Sequence, residues 1–243
     1  MSGDSKPLLT DSERELESGK SIIQNGNKEA KLVRRSWVVQ HFDKLKYQDA
    51  LLVQQNLHDK VKTSDEHYLL LLQHYPVITM GRRTDASHIL LSESELEERN
   101  IELYRVNRGG SATYHGPGQL IGYLICKSSR YGGIHSLVSI ILKTIHEVIS
   151  SFGIKAKIDE ENPGVWTDTE PPRKLSAVGM SNKDGYTMHG FAINVDLPLT
   201  GFSTIVPCGL TLPVSTLAIE SGKRIKISEV EDLIKTKLLF NLK

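Results

Sequence analysis

The chain has 243 residues, long enough to bury a sizeable core as one domain. Its 30 Lys and Arg against 29 Asp and Glu leave a formal net charge of +1, which removes the strongly basic signature of a dedicated nucleic-acid binder. No apolar run approaches a membrane span, and two cysteines alone, Cys126 and Cys208, argue against a disulfide framework and for a reducing compartment.

Residues 1–35 mix Ser, Asp, Glu, Lys and Asn without a sustained period and read as a disordered tail, with the folded domain over 36–243. Asp4, Asp11, Glu13, Glu15 and Glu17 are unlike a mitochondrial presequence, and no apolar segment marks a secretory signal. A first strand is expected at 37–39. Residues 47–61 then place Ala50, Val53, Leu57 and Val61 at helical spacing. The runs 68–73 and 77–80 suit buried strands. Ser92 with Glu95 forms a capping box for a short helix through Arg99, stopped at Asn100, and an alternating strand at 101–106 follows.

Residues 105–120, RVNRGGSATYHGPGQL, form a glycine loop in which Gly109, Gly110, Gly116 and Gly118 surround Tyr114, His115 and Pro117. Residues without a Cβ let main chain turn sharply and approach a ligand. Ordinary loop punctuation accounts for the glycines and the proline, but not for the polar trio Thr113, Tyr114 and His115 between them.

Beyond the loop, 120–126 reads as a strand in which Cys126 is a small buried hydrophobe. A helix over 135–151 carries Leu137, Ile141, Ile145, Val148 and Phe152 on one face, with Gly153 as its C-terminal cap. Ile154, Ala156 and Ile158 alternate as a strand. Residues 175–179 and 188–195 pair as strands joined by the turn-rich 181–185, and Ser228 with Glu231 opens a last helix. The irregular order of strands and helices predicts a single α+β domain with a mixed sheet rather than a doubly wound one.

Cys208 lies in Ile205-Val206-Pro207-Cys208-Gly209, flanked by turn residues, and is the cysteine to question. An ordinary thiol needs a cation, a helix N-terminus or a base nearby to be a thiolate at neutral pH. Lys174, ahead of small and apolar residues, supplies the cation, and partial withdrawal from water would let it act as a base. The alternative for any such lysine is a solvated strand edge. His115 and His189 offer a rival Cys–His pairing, and spacing alone does not choose. There is no CxxC and no i, i+4 histidine pair enclosing a glutamate, so a metal site is not expected. No GxxxxGK[ST] occurs and no GxGxxG follows a strand, which leaves a nucleotide site unsupported.

Three blocks resemble one family, the lipoyl (octanoyl) transferases: RGGSATYHGPGQL at 108–120, KLSAVG at 174–179 with HGFAIN at 189–194, and IVPCG at 205–209. With weaker similarity over 77–85, the resemblance covers residues 37 to about 217. It implies an α+β fold similar to that of biotin and lipoate protein ligases, and it implies no cofactor. The activity implied is transfer of an octanoyl group from octanoyl-acyl carrier protein, through a cysteine thioester, to a lysine of lipoate-dependent proteins. Those acceptors are the lipoyl domains of 2-oxoacid dehydrogenase complexes and the glycine cleavage H protein. By the same resemblance the nucleophile falls on Cys208 and its activating lysine on Lys174. The acyl pocket falls on Arg108, Gly109, Gly110, Ser111, Ala112, Thr113, Tyr114 and His115, on Ala177, Val178 and Gly179, and on Gly190, Phe191 and Ala192. His115 then becomes a positioning group rather than the base.

The chain departs from the family pattern at Ser176 and Met180, and the link 167–173, with Pro171 and Pro172, is longer than usual before the lysine. Two rival readings are an ATP-dependent lipoate ligase of the same fold and a non-catalytic acyl- or lipoyl-domain binder. Arg82, Arg83, Lys127 and Arg130 are candidates for docking an acidic carrier protein. Similarity of 162–166 and 214–217 to eukaryotic members implies a mitochondrial location, with the cytoplasm as the alternative that the acidic tail favours. No nucleic-acid or membrane partner is expected, and a monomer is the working expectation.

Overall fold

The apolar run at 68–73 lies in a strand, His67–His74, that is buried on both faces. Leu69 and Leu71 point into one core cluster, and Tyr68, Leu70 and Leu72 into another, so the near-continuous hydrophobicity reflects cover on two sides. Each fully buried leucine contributes about 1.5–3 kcal/mol over leaving it in water. The computed structural model describes residues 31–32, 37–206 and 213–243.

That strand is β3 of a six-stranded mixed sheet. The spatial order is β1 (Lys31–Leu32), β2 (Trp37–Leu45), β3 (His67–His74), β7 (Gln119–Ile125), β11 (Tyr186–Asn194) and β10 (Ser176–Lys183). β2 and β3 run parallel and the other neighbours antiparallel. Helix α1 (Tyr47–Thr63) covers one face with Ala50, Val53, Leu57 and Val61 at the expected spacing. Helices α3 (Ile134–Ser151) and α5 (Ile227–Asn241) cover the other, where Leu137, Ile141, Ile145 and Val148 meet Ile234 and Leu238. A three-stranded sheet, β5 (Glu102–Arg105), β4 (Val77–Met80) and β6 (Ala112–His115), stands beside the large one with its own core. β8 (Ala156–Asp159) pairs with β9 (Gly164–Thr167), and the short helices α2 (Glu93–Glu98) and α4 (Leu217–Ser221) complete the α+β domain.

The local signals at α2 and α3 are realised. Ser92 and Glu95 form the reciprocal capping box, and Gly153 takes φ +78° just past α3. Three expectations need correction. Lys31 and Leu32, inside the expected tail, pair with Val39 and Val38; residues 1–30 lie outside the described residues. The turn expected over 181–185 shrinks to Asp184-Gly185, φ +56° and +85°, because the strands stay paired through Lys183↔Tyr186, the geometry of a two-residue hairpin. Ser228 does not cap α5. Lys226 holds the cap position without a side-chain hydrogen bond, and Ile225 and Val230, on either side of the helix start, share the core, as in a hydrophobic staple. Among the described residues no helix is long and apolar enough to cross a membrane.

Candidate active site

Ser111 leads into β6, residues 112–115, and strand alternation sorts these five residues into two sets. Ser111, Thr113 and His115 face a cavity of about 660 Å³, a size ordinary for small-molecule sites. Ala112 and Tyr114 face the opposite way, into the core of the small sheet. There the Tyr114 ring packs against Phe202, centroids 5.5 Å apart, and leaves no room for a side chain at Gly201. The pocket expected from the whole stretch is therefore corrected at these two residues: half of the "loop" is a strand paired with β4, and a strand offers only alternate side chains to one side.

Arg108, Gly109 and Gly110 complete this wall. The Arg108 guanidinium is buried and donates to the Thr79 carbonyl (2.6 Å), to Thr79 Oγ1 through Nη2 (2.8 Å) and Nε (3.2 Å), and to the Gly109 carbonyl (2.9 Å). The Gly109 N–H donates to the Met180 carbonyl at 3.0 Å, laying the loop directly on β10.

The facing wall comes from β10 and β11. Ala177, Val178 and Gly179, with Gly190, Phe191 and Ala192, all line the cavity, although neighbours on a strand point to opposite faces. β10 is the last strand of the sheet, and residues from both faces contribute to the lining. Val178 and Phe191 belong to the α3 side, where Ile134, Val138 and Leu142 continue the lining, and Ala192 belongs to the α1 side with Ile121 and Tyr123.

Lys174 reaches this wall from just before β10 and is 6% exposed, so the solvated strand edge does not describe it. Its Nζ stands 4.8 Å from the centroid of the Trp166 ring, a cation–π contact in a desolvated setting. Gly164 makes room for it: a Cβ there would come within 2.8 Å of Lys174 Cε and 2.3 Å of the Ser176 carbonyl oxygen. The main chain is fixed too. Lys174 N–H donates to the Pro213 carbonyl, the Ser215 N–H donates back to the Lys174 carbonyl, both at 2.9 Å, and neighbouring Arg173 makes a two-pronged ion pair with Glu220. The longer 167–173 link leaves Lys174 seated between Trp166 and Val214.

Burial keeps His115, His189 and the adjoining His74 neutral. It is the largest cause that pushes His115 down to about 3, helped by His74 and Arg108, and that pushes His74 and His189 down to about 4. His115 Nδ1 lies 2.7 Å from Gln119 Oε1 and Nε2 lies 3.5 Å from Thr79 Oγ1. His189 adopts φ +62°, its N–H held by Gln54 Oε1 at 2.8 Å, and its ring meets Tyr123 edge-on. Burial also raises Tyr47 to about 12 and holds Tyr123 well above its usual range.

Cys126 is the inert thiol expected: fully buried, 3.3 Å from Thr187 Oγ1 and pushed up by burial to about 12. Cys208 lies outside the described residues, within 207–212. The described flanks of that segment are both tied to the cavity walls. Val206 N–H donates to the His88 carbonyl, His88 Nδ1 lies 2.6 Å from Ser111 Oγ, and on the far side Pro213 accepts from Lys174. Of the docking candidates, Arg82 and Arg83 are exposed and line the cavity; Lys127 and Arg130 do not, and Arg130 pairs with Asp65. Thr79, Tyr47 and Tyr123 are cavity residues that no motif signalled, while Gln119 and Asn194 were present in the quoted blocks but unassigned. Among the described residues no cluster of His, Cys, Asp and Glu could hold a metal ion.

Residues 46–239 match the lipoyl protein ligase A/B catalytic domain family. An octanoyltransferase of Dictyoglomus thermophilum is 42% identical over 179 residues, 73% of this chain and 75% of its own length. One of Caldicellulosiruptor saccharolyticus is 39% identical over 195 residues, 78% of this chain and 82% of its own. Among solved structures, a lipoate-protein ligase A bound with ATP superposes with a TM-score of 0.69 at 16% identity, covering 85% of each chain. The bi-partite lipoate protein ligase of Thermoplasma acidophilum gives 0.65 at 14% identity, covering 85% of this chain and 83% of its own. These two likenesses concern the fold.

Proposed function

Because the chain belongs to the lipoyl protein ligase A/B catalytic domain family and is an acyltransferase, we propose that it moves an octanoyl group from acyl carrier protein to a lysine of lipoyl proteins through a thioester on Cys208. The observation that carries the proposal is the tethering of both described flanks of the Cys208 segment to the walls of one cavity, one of them through the main chain of buried Lys174.

In this reading the Cys208 thiolate attacks the carbonyl carbon of the octanoyl thioester and the carrier thiol leaves, giving an acyl-enzyme. The acceptor lysine amine then attacks that carbonyl carbon, the amide forms and the Cys208 sulfur is released. Lys174 first stabilises the thiolate by its charge, gives its proton to the departing carrier sulfur and, now neutral, takes the proton from the attacking amine. The apolar surfaces of Val178, Phe191, Ala192 and Ile121 suit an alkyl chain, and the small residues between them leave it space. The thioester already carries the activation, so the reaction needs no nucleotide.

Transfer from octanoyl-acyl carrier protein to an isolated lipoyl domain, followed by the mass of the domain, tests this. The expected result is a gain of one octanoyl group without ATP. Gain only when ATP and a free fatty acid are supplied would establish a ligase instead, and binding of both proteins without transfer would establish a non-catalytic binder.

A further inference from the structure

A buried chain of side-chain hydrogen bonds crosses beneath the cavity, and its direction is set by two main-chain carbonyls. Asn194, 4% exposed at the end of β11, places Nδ2 3.0 Å from the Ser215 carbonyl oxygen and 3.3 Å from that of Lys174. A carbonyl can only accept, so the amide must present its NH2 there and its oxygen elsewhere. Asn194 Oδ1 in turn lies 2.9 Å from Gln119 and can only accept, which requires Gln119 to turn its own NH2 toward it. Gln119 Oε1 is thereby left facing His115 Nδ1 at 2.7 Å, and that nitrogen must carry the proton. His115 Nε2 is consequently an acceptor, on the side of Thr79 Oγ1, whose oxygen receives two hydrogen bonds from Arg108 and whose own proton is free to point at the imidazole. Every donor and acceptor agrees with one direction, from Arg108 on one wall to Lys174 and Ser215 on the other.

We propose that Gln119 and Asn194 are positioning residues of the acyl-transfer site: they hold His115 as its Nδ1–H tautomer and lock the main chain at Lys174 and Ser215 to the His115 wall. The claim about catalysis rests on the acyl-transfer reading above; the claim about the tautomer does not. Lys174 precedes the strand whose side chains line the cavity, and Ser215 follows seven positions after Cys208. A single amide thus ties the lysine to the far flank of the Cys208 segment. Loss of its donors would take one hydrogen bond from the Ser215 carbonyl and leave the Lys174 carbonyl with the Ser215 N–H, loosening this flank. Displacement of a reacting group by about 1 Å costs on the order of 100-fold in rate.

The test uses the full chain labelled with 15N-histidine, the His115 signals being assigned by their absence in His115→Gln. At pH 7 the expected pattern is a protonated, pyrrole-like Nδ1 and an unprotonated, pyridine-like Nε2. A protonated Nε2 in the wild type would overturn the directional chain, whether or not the protein transfers octanoyl groups. Asn194→Asp replaces the NH2 donor by a second acceptor while still accepting from Gln119. It should keep the His115 tautomer, yet lower kcat for octanoyl transfer by about 10- to 100-fold with KM for the carrier protein changed less than about threefold. A wild-type kcat in Asn194→Asp would remove the positioning role. If that variant does not fold, Gln119→Met carries the same readout: the tautomer preference of His115 should be lost together with kcat, and retention of kcat would contradict the proposal.

Discussion

On the β6 side of the cavity the side chains that meet it, Ser111, Thr113 and His115, are polar and are held by neighbours such as His88, Thr79 and Gln119. On the β10 and β11 side, Ala177, Gly179, Gly190 and Ala192 present small surfaces and main chain, and a cation, Lys174, enters from outside the strand. The first wall is rigid because its hydrogen bonds are satisfied in one arrangement. The second is rigid because two strands are paired along their whole length, from Ser176↔Ile193 to Lys183↔Tyr186. A site that must hold a flexible alkyl chain and also manage protons gains from this separation: space on one side, fixed dipoles on the other.

The largest expected break of that division is Lys174→Met. If the small-residue wall supplies its chemistry through this one group, single-turnover octanoyl transfer should fall by about 10²- to 10⁴-fold while the fold persists, because the methionine stem fills the Trp166 and Gly164 seat. Retention of the rate within about threefold would assign the proton handling to the polar wall instead.

The buried histidines, His115 on the polar wall with His74 and His189 behind and opposite it, should answer to pH. His115, held to about 3, and His74 and His189, held to about 4, bind fewer protons folded than unfolded between those values and about 6.5. Their contribution to stability is therefore complete above that value and is lost as pH falls from it toward 4. The slope in that window is at most about 1.4 kcal/mol per pH unit for each histidine. Urea unfolding at a series of pH values measures it, and a flat profile between pH 6.5 and 5 would mean that these rings are not held neutral by burial. Replacement of His115 by Gln should make the profile shallower.

The wall of small residues was the more legible one in the sequence. Ala177, Gly179, Gly190 and Ala192 stood in two short blocks, and antiparallel pairing brings those blocks together without any distant contact. The glycine stretch was legible as ligand-facing but not as a strand, because its glycines and Pro117 masked the alternation of Ser111, Thr113 and His115; hence the misplacement of Ala112 and Tyr114. Tyr47, Thr79 and Tyr123 come from three separate elements and carry no local signal, since tyrosine at a helix start or within a buried strand is ordinary core composition. The end of the tail and the start of α5 were misread for a related reason. Pairing of Lys31 and Leu32 depends on β2, and the staple at Ile225 and Val230 depends on a core that the local pattern does not name. Lys174 reads as a surface residue by composition, and its burial overturns that reading.

Two smaller effects sharpen the comparison. Ala192→Leu should fill the alkyl space without touching the polar wall. We expect kcat/KM for an octanoyl donor to drop about tenfold while a butyryl donor changes less than about threefold, at an overpacking cost of about 1–3 kcal/mol in stability. Equal losses for both donors would place the chain elsewhere. Tyr114→Phe should be nearly silent in transfer, within about twofold, because the ring packs on Phe202 and Gly201 rather than in the cavity. A loss beyond tenfold would return Tyr114 to the site.

The central claim is that Cys208, rather than Cys126, carries the acyl group between donor and acceptor. Incubation with octanoyl-acyl carrier protein alone, followed by intact-mass measurement and peptide mapping, tests it most directly. The expected result is one octanoyl group on the peptide bearing Cys208, absent in Cys208→Ser and discharged on addition of a lipoyl domain. No adduct, or an adduct on the buried Cys126 peptide, would contradict it.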